Sequence, residues 1–302
     1  MFKKIAIILV LSLLRLIAQE NFLKGVRAEN LMLDRIELVP AEIAKEIEDR
    51  GPNYWFEYFP SYVYSPDSLL IAEKRTEKPE GRTIGIWLLD ARKETEKRIV
   101  HGIAYDLKWA PSGKYLSFIR LEAEPGKLFH GRPIYNHERL CVYNTLIDET
   151  NSIVFMKGRA IQYSWSPTND YLVYSYINDT TGQYELCVFN AEKNETIILD
   201  SFILCDLWNF SWSPDGKMIV YTKPLKMDIY VDEEVPLEAE IFVINSDGSG
   251  KTQITNTPES ELFVKWFAGG KWLITEIVKN PAEGYMPEYR YYILKKERNK
   301  TQ

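Results

Sequence analysis

The sequence predicts an all-β chain folded as a β-propeller of five recognisable four-stranded blades, closed by a strand from its N-terminal part. Three observations predict it. Five segments line up with one another: Tyr62 to Asp67, Leu107 to Gly113, Tyr163 to Thr168, Phe210 to Gly216 and Val264 to Gly270. Their aromatic anchors Tyr64, Trp109, Trp165, Trp212 and Trp266 lie 45, 56, 47 and 54 residues apart. A second line-up follows within each unit: Ile86 to Asp90, Leu140 to Asn144, Leu186 to Asn190, Ile241 to Asn245 and Tyr291 to Lys295. Internal repetition at this period is the mark of stacked supersecondary units. Third, 19 Tyr, 13 Phe and 8 Trp make 13% aromatic residues, a bias towards strands.

Within a unit, Tyr163 and Trp165 alternate with Gln162 and Ser164, a period-two strand. Ser-Pro-Asp-Gly then suits a tight turn, with Pro111, Pro167 and Pro214 fixing φ and with Asp215 and Gly216 completing the best copy. An apolar strand returns, a variable connection follows, a third strand ends on Asp or Asn, and a further turn leads to a fourth. Four short antiparallel strands in 45 to 55 residues make one blade. The anchors are expected to fill the space between blades, each ring burying on the order of 200 Å². The last unit ends in a polar tail, so Leu31 to Val39 is expected to supply its missing strand, with a short helix near 41–50. Tyr54 to Phe59 is the place for a sixth, degenerate copy.

The N-terminal residues read differently. Lys3 and Lys4 precede an apolar run from Ile5 to Leu14, and Arg15 cuts that run short of a full span. Residues 1–28 are therefore a signal peptide or an N-terminal membrane anchor, and 29–302 the propeller. The expected location is secreted, periplasmic or on the outer face of the membrane. Cys141 and Cys187 occupy the same place in two units, where others have Trp87, Phe242 and Tyr292, so they read as packing residues. No disulfide framework is expected.

The repeat resembles that of TolB-like propellers, which also occurs in the non-catalytic propellers of dipeptidyl and prolyl peptidases. Asn209 to Thr255 carries the pattern most fully. The first copy has Asp67 and Ser68 where glycine is usual, and the fifth lacks proline. The resemblance implies the scaffold. It does not carry over an activity, because no Gly-x-Ser-x-Gly elbow is present.

The four connections between second and third strands, Glu73 to Thr83, Leu121 to Glu138, Lys223 to Leu237 and Lys279 to Glu288, are read as long loops on one rim. Phe129, His130, Arg132, Tyr135, Asp228, Tyr230, Asp232, Glu233 and Tyr285 are the candidate binding residues there, combining aromatic surface with charge of both signs. A protein or peptide partner, including a component of an envelope complex, suits such a rim. With 37 basic against 43 acidic residues and no basic block, nucleic acid does not. Membrane contact is expected only through the N-terminal segment, and the chain alone is expected to be a monomer.

Catalytic residues, cofactors and metals are read as none. His130 and His137 share a loop at no metal-ligand spacing and are expected to be exposed. The alternative is a propeller hydrolase or lactonase with a carboxylate or cation site in its central channel. Asn178, Asn194, Asn209 and Asn299 begin formal glycosylation triplets.

Overall fold

The computed structural model describes residues 27–28, 31–33, 62–77, 82–129, 132–157, 161–203, 209–230, 233–257, 260–267, 272–278 and 287–296. The helix expected near 41–50, the degenerate copy at Tyr54 to Phe59 and nearly all of 1–28 lie outside them. So do Cys205 and Asn299.

Two short strands come first, β1 (Arg27–Ala28) and β2 (Leu31–Leu33), paired antiparallel. The first sheet holds β3 (Tyr62–Tyr64), β4 (Leu70–Glu77), β5 (Arg82–Asp90) and β6 (Thr95–His101). The second holds β7 (Ala104–Trp109), β8 (Tyr115–Phe129), β9 (Arg132–Asn144) and β10 (Glu149–Lys157). The third holds β11 (Gln162–Trp165), β12 (Tyr171–Ile177), β13 (Tyr184–Asn190) and β14 (Glu195–Phe202). The fourth holds β15 (Phe210–Trp212), β16 (Met218–Tyr230), β17 (Glu233–Asn245) and β18 (Thr252–Gln253). The last is built on β19 (Ser260–Phe267), β20 (Trp272–Val278) and β21 (Pro287–Lys296). There β2 adds antiparallel to β21, Leu31 opposite Lys296 and Leu33 opposite Leu294, and β1 lies beyond it.

Each described sheet is an antiparallel meander, and its two motifs turn out to be turn chemistry. At the first turn, Ser68, Gly113 and Gly216 return their amides to Ser65, Ala110 and Ser213 carbonyls at 2.8, 3.0 and 2.9 Å. The fourth position is left-handed in all three, with φ of 59°, 71° and 67°. Gly113 and Gly216 adopt this freely, whereas Ser68 carries the strain of a side chain there. Ser213 Oγ donates to Asp215 Oδ1 at 2.7 Å and accepts the Met218 amide at 2.9 Å, and Ser65 does the same with Asp67 and Leu70. At the second turn the closing Asp or Asn caps its own loop. Asp90, Asn144 and Asn190 accept amides two residues on, from Arg92, Leu146 and Glu192, at 3.0, 2.9 and 3.0 Å.

The chain forms two compact units. In Glu57–Ser201, successive sheets are joined through aliphatic and aromatic layers. Ala72, Ile86, Leu107, Leu116 and Phe118 pack between the first and second sheets. Ala110, Leu140, Tyr163, Trp165 and Leu172 pack between the second and third. The anchors also bridge backbone: Trp109 Nε1 donates to Val63 O at 3.1 Å, and Trp165 Nε1 to Lys108 O at 3.1 Å and Ser117 Oγ at 2.8 Å. Each indole thus reaches the carbonyl one residue before the preceding anchor. Tyr64 departs from the expected role, being 55% exposed and edge-on to Tyr62 at 5.7 Å. It sits on the first described strand of its unit, so no earlier described sheet of that unit offers a surface to cover it. In the other unit, Val220, Ile241, Val243, Ile254, Val264 and Leu273 pack between the fourth and last sheets, with Trp266 against them. Trp212 is buried as expected. Cys141 and Cys187 are buried free thiols.

Candidate functional site

Of the four connections expected to be loops, three are strand in every described residue: Glu73 to Thr83 on β4 and β5, and, as much longer ribbons, Leu121 to Glu138 and Lys223 to Leu237. In the second sheet, β7 pairs with β8 only as far as Arg120, and β10 with β9 only as far as His137. Beyond that the two long strands pair with each other, from Leu121 opposite Glu138 to Phe129 opposite Arg132. The fourth sheet repeats the device: β15 stops at Tyr221, while β16 and β17 continue from Lys223 opposite Glu240 to Tyr230 opposite Glu233. The physical reason is that an 18-residue insertion contains many backbone donors and acceptors, and pairing its halves satisfies most of them. Sequence composition alone signalled a variable segment and not the register within it.

Both ribbons carry a proline on each leg, Pro125 and Pro133 in the first, Pro224 and Pro236 in the second. The register shifts beside them, between Ala123 and Leu128 and again after Pro224. Proline removes a ladder donor, so these legs are poor templates for adding another strand.

The root of the first ribbon is pinned by charge. Arg139 on β9 clasps Glu122 on β8 with Nε to Oε1 at 2.6 Å and Nη2 to Oε2 at 3.1 Å, and its Nη1 reaches Ser152 Oγ at 2.9 Å on β10. The guanidinium holds the Glu122 carboxyl below the usual carboxylate range. Beside it, buried Glu138 accepts from the Tyr105 hydroxyl and, at 2.7 Å, from the Ile161 amide at the entry to β11. Burial, with Glu138 as second cause, keeps the Tyr105 phenol protonated far above its ordinary range. Nearby, Asp106 stands in the left-handed region at φ 54° where β7 breaks register, a strained place for a non-glycine residue. Lys108 Nζ lies 3.3 Å from Asp106 Oδ1 and donates to Tyr163 O at 3.1 Å, while the Tyr163 hydroxyl returns to Asp106 O. Burial lowers the Lys74 ammonium's proton affinity, and Asp106 partly restores it. The bonds from Glu138 to Ile161 and between Lys108, Asp106 and Tyr163 staple the second sheet to the third.

At the root of the second ribbon the arrangement differs. Glu240 accepts the Thr257 amide at 2.9 Å on Oε1, and no described donor reaches its Oε2. Glu261 on β19 accepts the Thr257 hydroxyl at 3.0 Å. Both glutamates are 0% exposed, and both accept from Thr257. Asp106, Glu138, Glu240 and Glu261 were not among the sequence candidates. The available signal was a carboxylate set into an apolar alternation, as where Glu240 stands between Ala239 and Ile241.

Of the sequence candidates, Tyr135 is on β9 and 37% exposed. Phe129 and Arg132 face one another in register as the last pair of the first ribbon, and Tyr230 and Glu233 as the last pair of the second. Asp228 pairs with Val235. Those three pairs are placed by backbone; His130, Asp232 and Tyr285 lie outside the described residues. His137, expected to be exposed, is 8% exposed, with its ring edge-on to Phe155 at 5.5 Å, because it belongs to the paired part of β9. Among the glycosylation triplets, Asn178 is committed to Glu185 at 2.7 Å, while Asn194 lies on an exposed turn with φ of 56°.

Comparison with known proteins bears on the fold. No family model matches the chain. Dipeptidyl-peptidase 5 of Porphyromonas gingivalis is 41% identical over 59 residues, which is 20% of this chain and 8% of that protein. The solved structure of dipeptidyl peptidase 4 from Porphyromonas gingivalis is similar with a TM-score of 0.51 at 11% identity, over 82% of this chain and 41% of that one. TolB from Acinetobacter baumannii is similar at a TM-score of 0.39 and 13% identity, over 79% of this chain and 54% of its own. The chain thus spans about half, or less, of the length of these three proteins. With five successive meanders of blade topology and the dipeptidyl peptidase 4 likeness, the chain is a β-propeller.

Proposed function

We propose that the chain is an exported, non-enzymatic binding module whose projecting ribbons each offer a surface to a protein or peptide partner. The observation that carries this reading is the ribbons themselves: paired, root-anchored extensions that the sheets below do not need, one of which exposes Tyr135. Rigid aromatic surface is the commonest source of interface energy. The prolines on each leg favour recognition through side chains over strand addition. The cationic, apolar start of the sequence supports export to the envelope or beyond. The hydrolase alternative gains little from the carboxyl pair at Glu240, because both side chains are closed to solvent.

Replacing residues 123–136 by an Asn-Gly turn leaves Arg139, Glu138 and Glu122 in place. The shortened chain is expected to unfold within a few degrees of the parent. Cross-linking of the secreted chain in native membrane extracts, read by mass spectrometry, is expected to lose its adducts in the shortened form. Identical adduct sets from both forms would sink the proposal.

A further inference from the structure

We infer that Arg120, at the root of the first ribbon, is the seat for a carboxylate carried by an acidic segment of the partner. The inference rests on the binding reading for the existence of a partner, and adds its chemistry. Arg120 is the last residue of β8 that β7 covers, paired with Ala104 on that side and with Arg139 of β9 on the other. Phe155 of β10 completes the row, opposite Arg139. Like charges set directly opposite across a ladder repel. Both arginines act on the same Glu122 carboxyl and the same Cys141 thiol, so their guanidiniums share one neighbourhood.

That neighbourhood holds more cation than anion. Arg139 donates to Glu122 from Nε and Nη2 and to Ser152 from Nη1, and its flat face lies over the Phe155 ring, 4.8 Å from the centroid. Both Nη atoms still keep a hydrogen to give, since a guanidinium has more donors than those three bonds use. Glu138, next to Arg139 in the chain, accepts from Tyr105 and Ile161 instead. Lys157, in the next row opposite His137, is drawn to Asp179 at 3.7 Å. Arg120 itself is exposed, with neither an ion pair nor a hydrogen bond among the described residues. One carboxylate, Glu122, thus serves two guanidiniums.

A second carboxylate fits this excess. It matches the guanidinium fork with two parallel hydrogen bonds, and its charge removes the cross-strand repulsion. An amide or hydroxyl could accept the same hydrogens and would leave the like charges opposed. An exposed pair alone is weak, so the carboxylate must come attached to a segment that also uses the surface nearby. Tyr135, 37% exposed and farther out on β9, offers that segment an aromatic face. The chain's net charge of −6 opposes an acidic partner at a distance. Salt confines that field to about 8 Å, so the local excess decides at contact.

Two fluorescent peptides amidated at the C-terminus, Tyr-Glu-Ala-Glu and Tyr-Gln-Ala-Gln, test this on the full chain by anisotropy at low salt. The acidic peptide is expected to bind about tenfold tighter, and Arg120→Gln to abolish the preference. The variant is expected to fold, its thermal midpoint raised by about 1–2 °C as the cross-strand repulsion is lifted. Equal binding of the two peptides, or a preference unchanged in Arg120→Gln, would overturn the inference. So would displacement of the acidic peptide by sodium sulfate where sodium chloride of equal ionic strength leaves it bound, since free anions would then fill the seat. Cross-linking separates this site from the ribbon reading. Adducts that survive in the shortened form but are lost in Arg120→Gln discard the ribbon and keep the seat; adducts lost only in the shortened form do the reverse.

Discussion

Two ribbons leave two sheets above a buried glutamate, and the two glutamates are held in different ways. Glu138 has a hydroxyl on one oxygen and the Ile161 amide on the other. Glu240 has the Thr257 amide on one oxygen and no described donor on the other. The tryptophans repeat the contrast. Trp165 Nε1 has two acceptors in the sheet before it, whereas Trp266 Nε1 is buried with none among the described residues. The same repeat thus builds one place where the glutamate and the indole are both satisfied, and another where one Glu240 oxygen and the Trp266 Nε1 meet no described partner. An unsatisfied buried group costs roughly 1–3 kcal/mol, more than a typical hydrogen bond returns.

The largest test of that contrast is one substitution made at two places. Trp165→Phe removes the indole donor from both the Lys108 carbonyl and the Ser117 hydroxyl, which keep only their bond to each other, so a loss of about 1–2 kcal/mol is expected in urea unfolding. Trp266→Phe removes an indole N–H that has no acceptor, and is expected to cost below about 0.5 kcal/mol or to stabilise. Equal losses at both sites would break the comparison. An effect no larger is expected of Glu138→Gln. Its one amide oxygen can accept from only one of Tyr105 and Ile161, for a loss of about 1–2 kcal/mol at neutral pH. The smallest concerns a turn. Ser68→Gly relieves the left-handed backbone at φ 59° and is expected to stabilise by about 0.5–1 kcal/mol, where Gly216→Ser should do the reverse.

The turns explain why so much of the architecture could be read in advance. Ser213, Pro214, Asp215 and Gly216 act within a few residues of one another, and so does Asn190 over its own loop. Local chemistry of this kind is written locally. The indoles were legible too, because a large apolar ring recurring in a strand has few uses besides packing. The ribbons were only half legible: the extra length at Leu121 to Glu138 was plain, but its pairing depends on a register that no short window specifies. Least legible were the carboxylates. Glu240 and Glu261 are distant in sequence and meet only when β17 and β19 are packed, so their proximity exists in the fold and nowhere in the motif. Tyr64 shows the converse, a residue in the right motif whose position leaves it uncovered.

The two thiols have a consequence for how the chain matures. Burial pushes Cys141 up to about 11 and Cys187 up to about 12, so almost no thiolate exists at either in neutral surroundings. The thiolate is the species that oxidants and metals attack. Once the third strands are in place, these sulfurs are chemically silent, and the folded sheets are equally at home in oxidising and reducing milieux. The protection is a product of folding: before the third strands pair, both sulfurs are ordinary thiols, and afterwards burial keeps them out of reach.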